Sequence, residues 1–465
     1  MKLRPENIKV DPVNPFEKDL LKREQYANVL TQIVKNSEGG FTLSINADWG
    51  YGKTTFVRMW KAALQNEGYK TIYFNAWESD FVADPMIALV DGIRDGFDSQ
   101  DLPQENLQLS QAIWKSAAKL IQLVPQFKVV GEVFEIFQNG INDCLADQNK
   151  LQEHQSYHKL ILDFKEQLSK FSKEISPDKQ LVIFVDELDR CRPDYAVQML
   201  ERIKHFFEVE NIIFVLSIDK KVISESIRTV YGDIDVDGYL RRFLDLEFDL
   251  PEPDISDFVE AQFNIRELSK FFTGYWDYNS KTWENEDREK NLRISLWDCL
   301  LTQNVSLRDV EKYFNRLEII LNSKALPHTN CDLIAFILSL YMFHRNIYNE
   351  LHYMNASTDK MWQHLKPLLD VPRLDKRTSV YNRYYYLFIK FLAFYIVNLE
   401  FKDQYRDPIF ESYRNGEGLD WFPEKSRKVL VQEINNHTGQ MMQDLLPHFE
   451  LVNARFDMGR KEEND

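Results

Sequence analysis

ADWGYGKTT, Ala47 to Thr55, sets two glycines and the triplet Lys-Thr-Thr between an apolar, β-branched run and a helical pattern. FTLSINA (Phe41 to Ala47) reads as a short strand, and helical spacing starts at Val57 and Trp60. Strand, loop and helix in that order gather backbone N–H groups and a helix N-terminus around one point, which favours an anion there. Gly50 and Gly52 let the backbone approach a phosphate closely, Lys53 reaches the β and γ phosphates, and the Thr54 hydroxyl coordinates Mg²⁺. Asp48, Trp49, Gly50, Tyr51, Gly52, Lys53, Thr54 and Thr55 are therefore the expected nucleotide-binding segment. One position departs from G-x-x-x-x-G-K-[ST]. Ala47 stands where the first glycine is usual, and its methyl limits the backbone there, which predicts a cost in catalytic rate more than in binding.

LVIFVDE, Leu181 to Glu187, is a continuous apolar run ending in two carboxylates. An acid at the C-terminal tip of such a strand faces the crevice where ligands of open sheets bind, so Asp186 is the expected holder of the Mg²⁺ water shell. Glu187 is then placed to polarise the attacking water. Two solvated acids in a turn are the plainer alternative; the preceding strand and the separate phosphate loop outweigh it.

Further strands follow the same rhythm. KTIYFNAW ends at Trp77 and leads into a helix from about Pro85 to Phe97; NIIFVLSID (Asn211 to Asp219) is apolar throughout; LDLEFDLP ends at Pro251. Continuous apolar runs alternating with helices imply a parallel sheet buried on both faces and joined by right-handed crossovers. The fold class is thus α/β: a P-loop NTPase parallel sheet covered by helices on both faces. Residues 101–178 are rich in Gln, Lys, Glu and Leu and form a helical insertion, and beyond Ile255 only helical patterns appear, giving an all-α C-terminal region. A break is expected in the polar stretch from Tyr275 to Arg288.

The chain's 73 acidic and 57 basic side chains leave a net charge of -16, which disfavours nucleic-acid binding through the overall field while a local basic groove stays open. Four scattered cysteines lack zinc spacing and are too few for a disulfide framework, so a reducing cytoplasm is expected. MKLRPENIKV has no apolar signal-peptide core. Residues 111–137 carry Lys115, Lys119, Lys128 and Glu132 and read as an amphipathic helical pair. Tyr384 to Phe401 approaches spanning length but contains Lys390 and several tyrosines, so it reads as a buried helix rather than a membrane span.

ADWGYGKTTF, YFNAW, VDELDRCRP, FVLSIDKKVI and YLRRFLDLEFDLPEP together resemble the KAP family of P-loop NTPases, within the larger STAND and AAA+ related group, over about residues 14–320. The resemblance implies ATP as the nucleotide with Mg²⁺ as its metal, and it carries roles over by position. Lys53 and Thr54 match the phosphate lysine and magnesium hydroxyl; Asp186 matches the acid beside the metal; Glu187 falls where many members have a second Asp. Asp189 and Arg190 match an acidic and basic pair after the strand, either catalytic or fixing the next loop as an ion pair. Ser217 and Asp219 occupy the strand tip where related ATPases sense the γ phosphate, although a strand-end cap explains them equally. Arg241 and Arg242 stand where AAA+ relatives offer a catalytic arginine to a neighbouring subunit's nucleotide. SLRDVEKYFNRL implies a lid helix with Arg308 as a nucleotide contact; Ser306 as an N-cap with Asp309 three residues on is the simpler reading. Trp77 reads as a packing residue under the phosphate loop.

The expected layout is therefore residues 1–100 and 179–253 as the NTPase core, 101–178 as the insertion, 254–330 as a helical lid and 331–465 as a helical partner-binding region. Many family members carry transmembrane helices between the two nucleotide motifs, whereas the insertion here holds lysines and glutamates. The expected activity is a Mg²⁺-dependent regulatory ATPase in the cytoplasm. It changes conformation or assembly with nucleotide state, self-associating or engaging a protein through its C-terminal helices. The resemblance implies a bacterial anti-phage context. A DNA-handling motor, against which the charge counts, and a nucleotide-binding scaffold with little turnover are the competing readings.

Overall fold

The computed structural model describes residues 9–82, 84–98, 112–113, 115–117, 148–272, 285–303, 305–322, 331–353, 357–370, 379–402 and 412–436. The expected amphipathic pair at 111–137 and the break at 275–288 lie almost wholly outside them. The chain divides into a unit spanning Asn7–Glu252 and a second formed by Pro253–Asp465 with Met1–Glu6.

In the first unit the elements run α1 (Glu24–Asn36), β1 (Thr42–Asn46), α2 (Lys53–Asn66), β2 (Thr71–Asn75), α3 (Pro85–Asp98), α4 (Gln148–Ile175), β3 (Leu181–Asp186), α5 (Pro193–Phe206), β4 (Ile212–Ile218), α6 (Lys220–Tyr231), α7 (Val236–Leu240) and β5 (Leu246–Asp249). The five strands form one sheet in the order β2-β3-β4-β1-β5, and every pair is parallel. Strand alternation sorts the apolar run of β3 onto two faces. Val182 and Phe184 join Leu43, Ile45, Ile213 and Val215 against Phe56, Trp60 and Leu64 of α2 and Leu30 and Val34 of α1. Leu181, Ile183 and Val185 point the other way, onto α3, α4, α5 and α6. The doubly covered parallel sheet expected from the continuous runs is thus what forms.

Helix α4 lies within the expected insertion, yet it packs into the core of the first unit. Its Phe164, Leu168, Phe171 and Ile175 recur at helical spacing and are buried in the second face, together with Ile113 and Ala117. By contrast, β5 alternates half-buried and exposed residues, the pattern of an edge strand.

The second unit comprises α8 (Ile255–Ile265), α9 (Asn285–Leu301), α10 (Leu307–Asn322), α11 (Cys331–Phe343), α12 (Arg345–Tyr353), α13 (Thr358–Leu365), α14 (Ser379–Lys402) and α15 (Glu424–Asn436), with no strand among its described residues. Helix α14 contains the long apolar stretch from Tyr384, and Phe388, Phe391, Leu392, Ala393, Phe394, Tyr395, Ile396 and Val397 are all buried. Its one mid-helix charge, Lys390, donates to Asp332 Oδ2 of α11 at 2.6 Å. Arg383 grips Asp298 of α9 with two bonds of 2.9 and 2.7 Å. A bidentate pair of that kind ties α14 to the bundle geometrically as well as electrostatically. No helix among the described residues is long and apolar enough to cross a membrane.

Near-neutral pH should matter to the first unit through His205 in the last turn of α5. Burial, then Lys165, Arg202 and Lys204, hold its imidazole below the ordinary 6.5. A base whose folded pKa is depressed contributes stability that is present above the unfolded pKa and lost as pH falls through the folded one. Thermal melts from pH 7.5 downward should therefore show stability falling from about pH 6.5, and His205→Gln should flatten part of that slope.

Candidate functional site

The phosphate loop leaves the sheet at Asn46 and re-enters regular structure at Lys53, the first residue of α2. Gly50 and Gly52 take φ of 81° and 82°, the left-handed region that side chains with a Cβ avoid, so the tight bends need these two glycines. The constraint expected at Ala47 does not arise. Among the described residues the non-glycines with positive φ are Lys22, Glu187 and Glu267, and Ala47 is buried in the apolar cluster of the first face. Its N–H donates to Ile218 O of β4 at 3.3 Å, extending the sheet by one rung.

Lys53 is a buried cation, 8% exposed, whose Nζ donates to Ala47 O at 2.6 Å and lies 3.5 Å from Asp189 Oδ2. Thr54 and Thr55 follow in the first turn of α2, half-buried. Asp48 pairs with Lys221 of α6 at 2.8 and 2.9 Å, which ties the loop's exposed side to the helix after β4. From below, the buried Arg23 guanidinium donates to Tyr51 O at 2.7 Å and to Pro251 O at 3.2 Å, and burial draws its pKa down to about 10. Arg23 thus clamps the loop to the end of β5. Arg23→Ala leaves two carbonyls without their charged donor, and denaturant melts should show a loss of about 2 to 4 kcal/mol.

The acidic wall stands on β3. Asp186 is buried at the strand's tip, where Tyr73 Oη donates to Oδ2 at 2.8 Å and the Glu187 N–H donates to Oδ1 at 2.9 Å. Burial, then the Asp186 charge, raises the Tyr73 pKa, so the phenol keeps its proton and remains a donor. Because β4 separates β1 from β3, the two walls are about 10 Å apart at strand spacing. The Thr54 hydroxyl and Asp186 carboxylate are hard oxygen donors and suit Mg²⁺ held largely through its own water, where such an ion neutralises phosphate charge.

Glu187 has φ of 61°, an uncommon backbone for a glutamate and one that costs about 1 kcal/mol or more. Its two oxygens take Asn75 Nδ2 at 3.2 Å and Arg190 Nη1 at 2.9 Å. The acidic and basic pair after β3 is therefore split: Arg190 serves Glu187, and Asp189 turns inward to Lys53. Trp77 is not a packing residue under the loop. Strand β2 ends at Asn75 and a tight turn starts at Trp77, which carries the indole past the sheet tip to 52% exposure. Arg190 lies 5.5 Å from its ring centre and 5.9 Å from that of Trp49, an arrangement that favours a cation.

Between the walls, Ser217 is fully buried on β4 and its Oγ has no hydrogen-bond partner among the described residues. Asp219 caps α6, its Oδ1 accepting from the N–H groups of Lys221 and Val222 at 3.1 and 3.4 Å. These bonds make Asp219 the cap at the end of β4 and the start of α6. Arg241 and Arg242 are exposed in the turn between α7 and β5. In the second unit, Ser306 and Asp309 form a reciprocal capping box at the start of α10, with bonds of 3.2 Å in both directions between backbone and side chain, and Arg308 is exposed beside it. Sequence reasoning missed Arg23, which lies outside any motif, and Asn75 and Tyr73, whose roles depend on β2 pairing with β3.

The signature of the KAP family P-loop domain matches residues 23–323. An uncharacterized protein of Methanocaldococcus jannaschii is 36% identical over 70 residues, covering 15% of this chain and 34% of its own length. The phage T7 exclusion protein of Escherichia coli K12 is 21% identical over 154 residues, 33% of this chain and 19% of its own. The chain thus spans only about a third and a fifth of the length of these two relatives. Among solved structures, the Aeropyrum pernix ORC2 protein with ADPNP and ADP aligns over 93% of this chain and 97% of its own at 13% identity and a TM-score of 0.37. AMPPCP-bound DnaA from Aquifex aeolicus aligns over 94% of each chain at 10% identity and a TM-score of 0.28. With the family signature covering well over half of its length and the loop, strand order and acidic wall in place, this chain belongs to the KAP family of P-loop NTPases.

Proposed function

We propose that this chain is a Mg²⁺-dependent ATPase of the cytoplasm that changes conformation or assembly with nucleotide state. The observation that carries the reading is the pairing of a phosphate loop built around a buried lysine with a strand-tip acid pair two strands away, Glu187 being held in a strained backbone. In this reading the loop from Asp48 to Thr55 binds the phosphates, Thr54 and Asp186 hold the metal, and Glu187 orients the attacking water and accepts its proton. Ser217 offers its unpartnered hydroxyl toward the γ phosphate. Arg241 and Arg242 act on a neighbouring copy's nucleotide. The helices from residue 331 onward engage a second copy or a protein partner. The match to a phage exclusion protein supports an anti-phage context.

Phosphate release and sedimentation of the purified chain, each with and without ATP and Mg²⁺, test this together. Turnover that needs both, with a sedimentation shift, is the expected result. Turnover without a shift leaves an ATPase and removes the assembly role. Absence of both turnover and ATP binding overturns the proposal.

A further inference from the structure

Asp189 lies two residues beyond Glu187, outside the groups that a phosphate loop and an acidic strand tip require, yet one of its oxygens accepts two hydrogen bonds and faces a buried cation. Oδ2 accepts from Trp49 Nε1 at 2.9 Å and from the Asp219 N–H at 3.2 Å, and Lys53 Nζ stands 3.5 Å away. These donors come from the middle of the phosphate loop, the tip of β4 and the first residue of α2. The carboxylate is 5% exposed, so it meets them with little competition from water. Its pKa is raised by burial, a change that Lys53 opposes only in part.

From this geometry we infer that Asp189 is the positioning residue that sets nucleotide affinity, acting in two opposed ways. As an anion it competes with phosphate for the Lys53 ammonium. As a hydrogen-bond acceptor it anchors the loop through Trp49 and joins it to β4. The inference rests on the nucleotide reading above and deepens it. The competition follows from charge: Lys53 must exchange a carboxylate and the Ala47 carbonyl for phosphate oxygens, and a counter-ion on a buried cation is costly to leave. The anchoring follows from the short Trp49 bond, since an indole N–H is donor only and needs an acceptor at that point.

Two substitutions separate the roles. Asp189→Asn keeps an acceptor oxygen for Trp49 and Asp219 but removes the charge. Asp189→Ala removes both. Calorimetric titration with ADP and with a non-hydrolysable ATP analogue, with and without Mg²⁺, should show Asp189→Asn binding about 3- to 10-fold tighter than wild type and Asp189→Ala several-fold weaker. Trp49→Phe, which removes one bond to Oδ2 and keeps the charge, should weaken binding without metal as well, and it serves if Asp189→Ala melts too low to titrate. Equal affinity of Asp189→Asn and wild type, or weakening by Asp189→Asn, overturns the inference. Weakening confined to Mg²⁺ would instead make Asp189 part of the metal's surroundings. If wild type binds no nucleotide, the functional proposal falls and takes this inference with it.

Discussion

Glu187→Gln should lower the steady-state rate of phosphate release by about 10² to 10⁴-fold, the usual worth of a positioned general base, while ATP affinity stays within about threefold. The substitution keeps the shape of the side chain and its bond to Asn75, so the loop after β3 has no reason to rearrange. On the proposed mechanism, what it removes is the charge that orients water and takes its proton. Arg190 loses its ion-pair partner at the same time, but its guanidinium remains beside the Trp49 and Trp77 rings. Single-turnover and binding measurements on one preparation distinguish the cases. A variant that still releases phosphate at the wild-type rate removes Glu187 from the chemistry. One that fails to bind ATP gives Glu187 a structural role instead.

The wild-type side chain must also be released to act. Both oxygens of Glu187 are engaged, one by Asn75 and the other by the Arg190 cation. Asn75→Ala and Arg190→Ala therefore have different expectations. The first loosens the orientation of Glu187 and should slow turnover. The second removes the cation that holds Glu187 and should raise the single-turnover rate of phosphate release.

The backbone of this site was legible because its requirements are local. Two glycines before a Lys-Thr pair, flanked by strand and helix, admit few other loops, and Gly50 and Gly52 do adopt the left-handed turns that only glycine takes easily. The sheet was legible for the same reason: continuous apolar runs such as β3 can be buried only if both faces are covered. Ala47 misled because the consensus was read as a conformational demand at every position, whereas the chain at Ala47 is still pairing with β4. Trp77 misled because aromatic residues are buried on average, and where β2 ends is decided by its pairing with β3, five residues long. Arg23 and Asp189 act through partners 28 to 228 and 30 to 140 residues away. No spacing rule links such positions before the sheet order is known.

Lys53→Ala should weaken ATP binding by about 100-fold or more, since a charge-assisted contact to phosphate is among the strongest a loop of this kind makes. It should also reveal the lysine's structural share. In the fold Lys53 is buried against Asp189, and deleting it leaves a residue that is 5% exposed without its cation, its carboxylate still held by the Trp49 and Asp219 N–H groups. An uncompensated buried charge destabilises, so the melting temperature of Lys53→Ala should fall together with the affinity. Combining Lys53→Ala with Asp189→Asn removes both charges, and stability should recover most of the loss while binding does not. That non-additivity separates the two functions of the residue. A double variant as unstable as Lys53→Ala would mean that the pair does not couple, and recovery of ATP affinity would mean that phosphate is held by the backbone of the loop rather than by the lysine.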